Sequence, residues 1–439
     1  MISAREAALN TLYEIFYEGA YSNLALKKML RKCNAMKDEE KRLLTNLVYG
    51  VVSYHFTLEY VIKKYSSVKP KKIAKYIHLI LELGLYQLMY ADKIPESAAV
   101  NESVKLAKRY GKSGSDRFVN AILRSFCRDG CEIAYPTDKA SYLSVKYSYT
   151  LNMTKTWIDD FGYDTAEELM QSLNAPPPLM LRANTLKITA DELCKRLENE
   201  EGIHARPVTV LKKAGDSFTD DGTGALLEAD GGFDIAQSKL CNEGFFSVQD
   251  KGAYCASVVL APKSGETVID MCAAPGGKTT HIAELMGDRG KIIACDIHEH
   301  KIKLIVNSLK RLGISCVSTL LRDSSVCDET LLETADRVLC DVPCSGWGII
   351  RRKPDIKLEN NDISALPPLQ LKILLSGASY VKKGGCIVYS TCTVNRRENE
   401  EVVNAFLESA ADFEKSYEKT FYPNRDNSDG FYICRLNRK

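Results

Sequence analysis

The stretch "DMCAAPGGKTTHIAELM" (270–286) decides how the second half of the chain is read. Apolar "TVIDMC" (267–272) runs into a turn built from small residues. A helical pattern, "KTTHIAELMG" (278–287), then follows. Adjacent glycines at 276 and 277 let the backbone approach a ligand closely. The helix that follows offers free N–H groups and the positive end of its dipole. The rhythm repeats outward from this turn. Strands are expected at "KIIACDI" (291–297), "SCVSTLL" (315–321), "RVLCDVP" (337–343) and "GCIVYST" (385–391), and helices at "HKIKLIVNSLKRLG" (300–313) and "PPLQLKILLSGASYV" (367–381). Alternation of this kind implies a parallel sheet covered on both faces. The end differs, because "DFEKSYEKTFYP" (412–423) and "DGFYICRL" (429–436) read as an antiparallel pair.

Ligands in such sheets lie beyond the carboxyl ends of the strands. Asp296 stands there, twenty residues after Gly276, the spacing of an acid that hydrogen-bonds ribose hydroxyls. Asp323 and Asp341 fall on the same rim. Three cofactors compete for the turn. A phosphate-binding P-loop needs a glycine where Cys272 stands, and that glycine's turn is integral to the phosphate nest. The dinucleotide fingerprint G-x-G-x-x-G is absent. S-adenosylmethionine carries adenosine without phosphate, so it needs the close backbone and the ribose acid only, and it fits best.

Two cysteines also sit where strands run out: Cys344 in "DVPCSG" (341–346) and Cys392 in "YSTCT" (389–393). Each alone reads as a buried structural thiol. Together, among small and polar residues beside a methyl donor, they suggest methylation of a carbon that is not itself nucleophilic, such as C5 of cytosine. A thiolate adding to C6 makes C5 enamine-like. An acid at N3 would stabilise charge pushed into the ring, and Asp341, three residues before Cys344, is the candidate. The residues support a nucleophile and a helper without saying which is which.

"DMCAAPGGKTTHIAELM", "DVPCSGWGIIRRKPDIK" (341–357) and "YSTCTVNRRENEEVV" (389–403) resemble, in order, the signature motifs of the RNA cytosine-5 methyltransferases. Residues 1–128 are similar to the RNA-binding helical domain of the antitermination factor NusB. That fusion resembles the bacterial 16S rRNA cytosine-5 methyltransferases and implies cytosine 967 of 16S rRNA as the target. The resemblance further implies that Cys272, Ala273, Ala274, Pro275, Gly276, Gly277 and Lys278 hold the methionine part of S-adenosylmethionine. Asp296 would bind the ribose, Asp323 the adenine amine, and Asp341 would lie near donor and base. It makes Cys392 the nucleophile and associates Cys344 with product release. Lys353 and Leu358 depart from the family's usual residues and bear on the shape of an RNA-facing loop.

The rest of the chain fits a polyanion partner. Its 439 residues suggest several domains. Residues 1–140 carry 23 Lys and Arg against 15 Asp and Glu, leaving a net of −6 in the remainder to reach the overall +2. A basic front on a near-neutral body suits nucleic acid, although a solvated helix surface has the same composition. The expected division is an all-α NusB-like domain (1–128), a linker (129–139), a small α/β module (140–240) and a Rossmann-like class I methyltransferase domain (241–439). Within the module, Thr189 is the expected cap of a helix, and "GDSFTDDGTG" (215–224) reads as a loop. No apolar run approaches a membrane span, and no signal sequence opens the chain, so a cytoplasmic monomer is expected. Fifteen cysteines without a C-x-x-C pair read as reduced thiols. Cys127 and Cys131 lack a matching downstream pair, so no metal is expected. Two other readings stand beside this one: a tRNA cytosine-5 methyltransferase, and a catalytically silent RNA-binding assembly factor.

Overall fold

Apolar residues at helical spacing build the first half. "AREAALNTLYEIFYE" buries Ala8, Leu12 and Ile15 on one face. Ser3 caps it by accepting from the Glu6 N–H, and Gly19 closes it at φ 73°. The structure, a computed structural model, describes residues 2–215, 217–231, 233–359 and 362–439. Among the described residues its first part holds the α-helices α1 (Ala4–Glu18), α2 (Ser22–Lys32), α3 (Asp38–Tyr65), α4 (Lys75–Tyr90), α5 (Glu96–Tyr110), α6 (Ser115–Arg128), α7 (Lys139–Tyr147), α8 (Leu151–Phe161) and α9 (Tyr163–Ser172). Among the described residues no helix is long and apolar enough to cross a membrane.

The chain forms two compact units: Met1–Asn174 with Ile350–Asn360, and Ala175–Ile349 with Asn361–Lys439. The stretch from 139 to 172, expected to open a mixed module, is helical and belongs to the first unit. Asp138 and Thr150 cap α7 and α8, while Ser148 at φ 58° and Gly162 at φ 80° break the run. Each piece is too short to show a readable period.

The return of residues 350–360 to the first unit was not legible in the sequence. There Asp355 accepts from the Ser22 N–H (2.9 Å) and the Ser22 hydroxyl (2.7 Å), capping α2, whose own N-cap residue Tyr21 provides no side-chain cap. Buried Lys357 donates to the carbonyls of Ser53 (3.0 Å) and Tyr147 (3.2 Å) and to Asn174 Oδ1 (2.6 Å), with its ammonium over the Tyr149 ring. Burial alone holds the Lys357 pKa well below the ordinary lysine value. Leu358, expected in an RNA-facing loop, packs against the helical core.

Among its described residues the second unit forms two sheets. The smaller is antiparallel, in the order β2-β3-β1-β4, with β1 (Leu179–Ala183), β2 (Ala205–Ala214), β3 (Ser217–Ala229) and β4 (Phe246–Val248). With it go α10 (Ala190–Arg196), capped by Thr189 as expected, and α11 (Lys239–Asn242). The expected loop at 215–224 instead holds the start of β3 in a hairpin with β2: Ala214 pairs Ser217, and Lys212 pairs Thr219. Asp216 lies outside the described residues. Glycine and aspartate signalled a loop, but they lie in an irregular ribbon whose pairing shifts register twice.

The larger sheet has the order β10-β11-β9-β8-β5-β6-β7. Its strands are β5 (Thr267–Asp270), β6 (Lys291–Asp296), β7 (Val317–Leu321), β8 (Ala335–Asp341), β9 (Val381–Thr391), β10 (Phe413–Phe421) and β11 (Phe431–Arg438). Five are parallel, and β10 and β11 close the edge antiparallel. The covering helices are α12 (Lys251–Leu260), α13 (Gly277–Leu285), α14 (Glu299–Leu312), α15 (Leu366–Tyr380) and α16 (Glu400–Ser409); α17 (Pro423–Asp426) is a short turn before β11. Neighbouring strand residues face opposite cores. Val268, Ile292, Leu339 and Val388 join α12, α13 and α14, whereas Ile269, Ile293, Val338 and Ile387 join α15 and α16. The strand order reverses between β5 and β8, and this switch point is where a ligand crevice opens.

Candidate active site

At that switch point β5 ends at Asp270, and the chain turns through 271–276 into α13. Gly276 sits at φ 104°, a conformation that favours glycine. The helix starts with no side-chain cap, so its first N–H groups are left for a ligand. A cavity of about 220 Å³ opens there, lined by Cys272, Ala273, Ala274, Pro275, Gly277, Lys278 and Asp341 of the expected set. Gln249, Asp250 and Asp270 also line it and were not anticipated. Gly276, Asp296, Asp323, Cys344 and Cys392 are not among its lining residues. Asp296 ends β6 and accepts from the His298 N–H (3.0 Å). Asp323 is exposed beyond β7, and the Ser325 hydroxyl (2.7 Å) and N–H (2.9 Å) hold its pKa below the usual carboxylate value.

Buried Asp270 accepts from the Thr279 hydroxyl (2.7 Å), while its Oδ1 has no partner. Burial raises its pKa to about 7; the Thr279 hydrogen bond opposes this, and the charge of Asp341 adds to it. A cationic group beside Oδ1 would favour the ionised form. The ammonium of a methionine moiety matches that orphan acceptor, and its carboxylate matches the uncapped helix start. The residues present therefore fit S-adenosylmethionine.

Lys278 and Asp341 form an ion pair at 2.7 Å, and the Ser390 hydroxyl donates to the other Asp341 oxygen at 2.9 Å. Burial works against the Lys278 charge. The Asp341 carboxylate outweighs it, helped by Cys392 and Asp270, and the pKa stays above the ordinary lysine value. The two rim cysteines are brought together, their sulfurs 3.2 Å apart. The contact with Cys392, followed by burial, pushes the Cys344 thiol pKa well up.

Two buried residues that sequence reasoning missed hold these parts in place. Glu398 ties the two cysteine loops together. One of its oxygens accepts from the Ser345 N–H (2.8 Å) and Gln370 (3.0 Å), the other from the Ser345 hydroxyl (2.6 Å) and Asn395 (3.2 Å). Arg182, on β1, grips α13. It pairs with both oxygens of Glu284 (2.9 and 2.8 Å) and donates to the Gly277 carbonyl (2.7 Å), Thr280 (3.0 Å) and Gln249. A charged residue inside apolar "LMLRA" was the only signal for it.

The loops also touch through backbone. The Gly348 N–H donates to the Cys392 carbonyl (3.0 Å), and the Gly430 N–H donates to the Gly348 carbonyl (2.8 Å). A Cβ on Gly348 would overlap the Gly430 carbonyl oxygen and crowd that of Cys392. Gly348→Ala is therefore expected to cost about 1–3 kcal/mol and to lower methyl transfer more than cofactor affinity. Thermal unfolding and cofactor titration check this; unchanged stability would count against such close packing.

A family model for 16S rRNA methyltransferases, RsmB/F, matches residues 257–437. A NusB family model matches 2–128, and a ferredoxin-like domain model of RsmF/B-like methyltransferases matches 152–214. The probable ribosomal RNA small subunit methyltransferase B of Bacillus subtilis (strain 168) is 38% identical, covering 100% of this chain and 99% of that relative. The chain belongs to the RsmB/F family of 16S rRNA methyltransferases. The Proteus mirabilis ribosomal RNA small subunit methyltransferase B is 30% identical over 99% of this chain and 98% of its own. The crystal structure of PH0851 matches with a TM-score of 0.80 and 26% identity, over 100% of this chain and 98% of that one. A methyltransferase homolog from Pyrococcus horikoshii matches with a TM-score of 0.57 and 28% identity, over 68% and 98%. As an RsmB/F-family member the chain is a methyltransferase that uses S-adenosylmethionine, in agreement with the cofactor expected from the turn at 272–278.

Proposed function

We propose that this enzyme methylates C5 of a cytosine in 16S rRNA, cytosine 967 by family resemblance, through a transient bond between Cys392 and C6. The observation that carries the reading is the Cys344–Cys392 sulfur contact of 3.2 Å, with Cys392 two residues after Ser390, whose hydroxyl donates to Asp341. S-adenosylmethionine, when bound, supplies an electrophilic methyl group. Cys392 adds to C6 as thiolate, and a proton passed from the Lys278–Asp341 pair through the Asp341 carboxyl to N3 neutralises the charge pushed into the ring. Lys278 holds Asp341 in place. C5 then takes the methyl group, a base removes the C5 proton, and the ring re-forms as Cys392 leaves as thiolate and N3 returns its proton to the Lys278–Asp341 pair. Cys344, whose raised pKa keeps its proton, can hydrogen-bond to the departing Cys392 thiolate.

Asp296 and Asp323 fit ribose and adenine contacts by their places after β6 and β7. The basic helical domain would grip RNA phosphates, with the target base drawn out of its stack. Bisulfite sequencing of RNA from cells with and without the gene tests the substrate. One protected 16S cytosine should lose protection. An unchanged 16S pattern with loss in a tRNA would overturn the rRNA reading in favour of a tRNA one.

A further inference from the structure

The helical unit carries a cluster of donors that the methylation chemistry does not use. Cys127 lies in the last turn of α6. That helix ends in a paired hydrogen-bond motif: Cys131 N–H to the Phe126 carbonyl (3.0 Å) and Gly130 N–H to the Cys127 carbonyl (3.0 Å). Gly130 at φ 76° and Cys131 at φ 57° turn the chain back over the helix end. Left-handed backbone is unusual for cysteine. Glu96, at the start of α5, meets the two thiols from another helix. A sulfur from each cysteine and a carboxylate oxygen of Glu96 all lie within 4.8 Å of one another. Both cysteines are half-buried and unbridged. An open cavity of about 390 Å³, lined by Met89, Tyr90, Cys131 and Glu132, adjoins Cys131.

We propose that Glu96, Cys127 and Cys131 form a binding site for a thiophilic divalent cation of the zinc class. Two thiolates and one carboxylate supply three ligands of a tetrahedral set, and a water in the adjoining cavity can complete it. On binding, each S–H gives its proton to solvent and each sulfur bonds to the metal. The sequence spacing had argued against a metal because no second cysteine pair follows. The fold supplies the third ligand from thirty-one residues upstream of Cys127, a separation that linear spacing cannot reveal. Such a site would pin α6 to the start of α5 within the helical unit.

The test uses the full-length reduced protein, dialysed against zinc sulfate and then against metal-free buffer, with bound zinc measured by mass spectrometry. The wild-type chain should hold about one zinc more than the Cys127→Ser/Cys131→Ser variant. Cobalt(II) should give it a thiolate-to-cobalt absorption band that the variant lacks. Cys344→Ala should keep the wild-type zinc content, separating this site from the catalytic sulfur pair. Glu96 is exposed, so Glu96→Gln should fold normally, and it should weaken zinc binding by roughly tenfold or more. Absence of zinc from the wild-type chain would overturn the proposal. So would equal zinc in the double-serine variant, or unchanged affinity in Glu96→Gln should the double variant fail to fold.

Discussion

Cys392→Ala is expected to abolish methyl transfer, by at least about 10⁴-fold as for the loss of other covalent nucleophiles, and to form no RNA adduct. Cys344→Ala should behave differently. It keeps the attacking sulfur but removes the neighbouring S–H that can stabilise it as it leaves, so protein joined to RNA should accumulate and survive denaturing gels. The 3.2 Å contact makes the pair of variants informative, because either sulfur could reach a base held by the other. Labelled S-adenosylmethionine and gel shifts under denaturing conditions read both outcomes. Full activity in Cys392→Ala, with activity abolished only in Cys344→Ala, would reverse the assignment.

Arg182→Met is expected to produce the largest loss of stability. Arg182 is fully buried, and its Glu284 partner is almost so. Removing the guanidinium leaves a buried carboxylate without its counter-charge, a change that costs about 3–5 kcal/mol. Burial already raises the Glu284 pKa, with Arg182 opposing the rise. Folded Glu284 therefore takes up a proton more readily than the unfolded chain does, and this contribution to stability falls as pH rises through its folded pKa. Without Arg182 the effect grows. The deficit should be greatest at mildly alkaline pH and should narrow as pH falls toward the ordinary glutamate value. Cofactor affinity should fall as well, since Arg182 also holds Gly277 and Gln249 at the cavity wall. Denaturant unfolding of Arg182→Met and of Arg182→Met/Glu284→Leu checks this, with the double variant recovering most of the loss. A loss below about 1 kcal/mol, or one independent of pH, would show the network to be dispensable.

Much of the catalytic half was legible because its signals are local. Strand, small-residue turn and helix follow one another within 270–286, and the rim acids and cysteines stand at strand ends. What escaped depends on distant partners. Glu398 was visible only as one acid in "NRRENEE", yet it joins Ser345, fifty-three residues away. Asp270 opens the most recognisable motif, but its orphan oxygen exists only once β5 is buried beside β8. The helices of 139–172 were missed because each is broken after only about two and a half to three turns. The hairpin at 205–229 was missed because its pairing carries residues that usually end strands.

Residues 350–360 complete a unit whose other members end at Asn174. On the ribosome the two parts are separated by Ala175–Ile349, all of which must be made first. At roughly 5–20 residues per second that is a delay on the order of 10–35 s. Through that interval the carbonyls of Ser53 and Tyr147, and the side chain of Asn174, have yet to meet the ammonium that will join them. The helices between Ala4 and Ser172 are thus synthesised before the second unit but are finished only after much of it has been made. A nascent chain stalled anywhere before Lys357 carries them without their fastening.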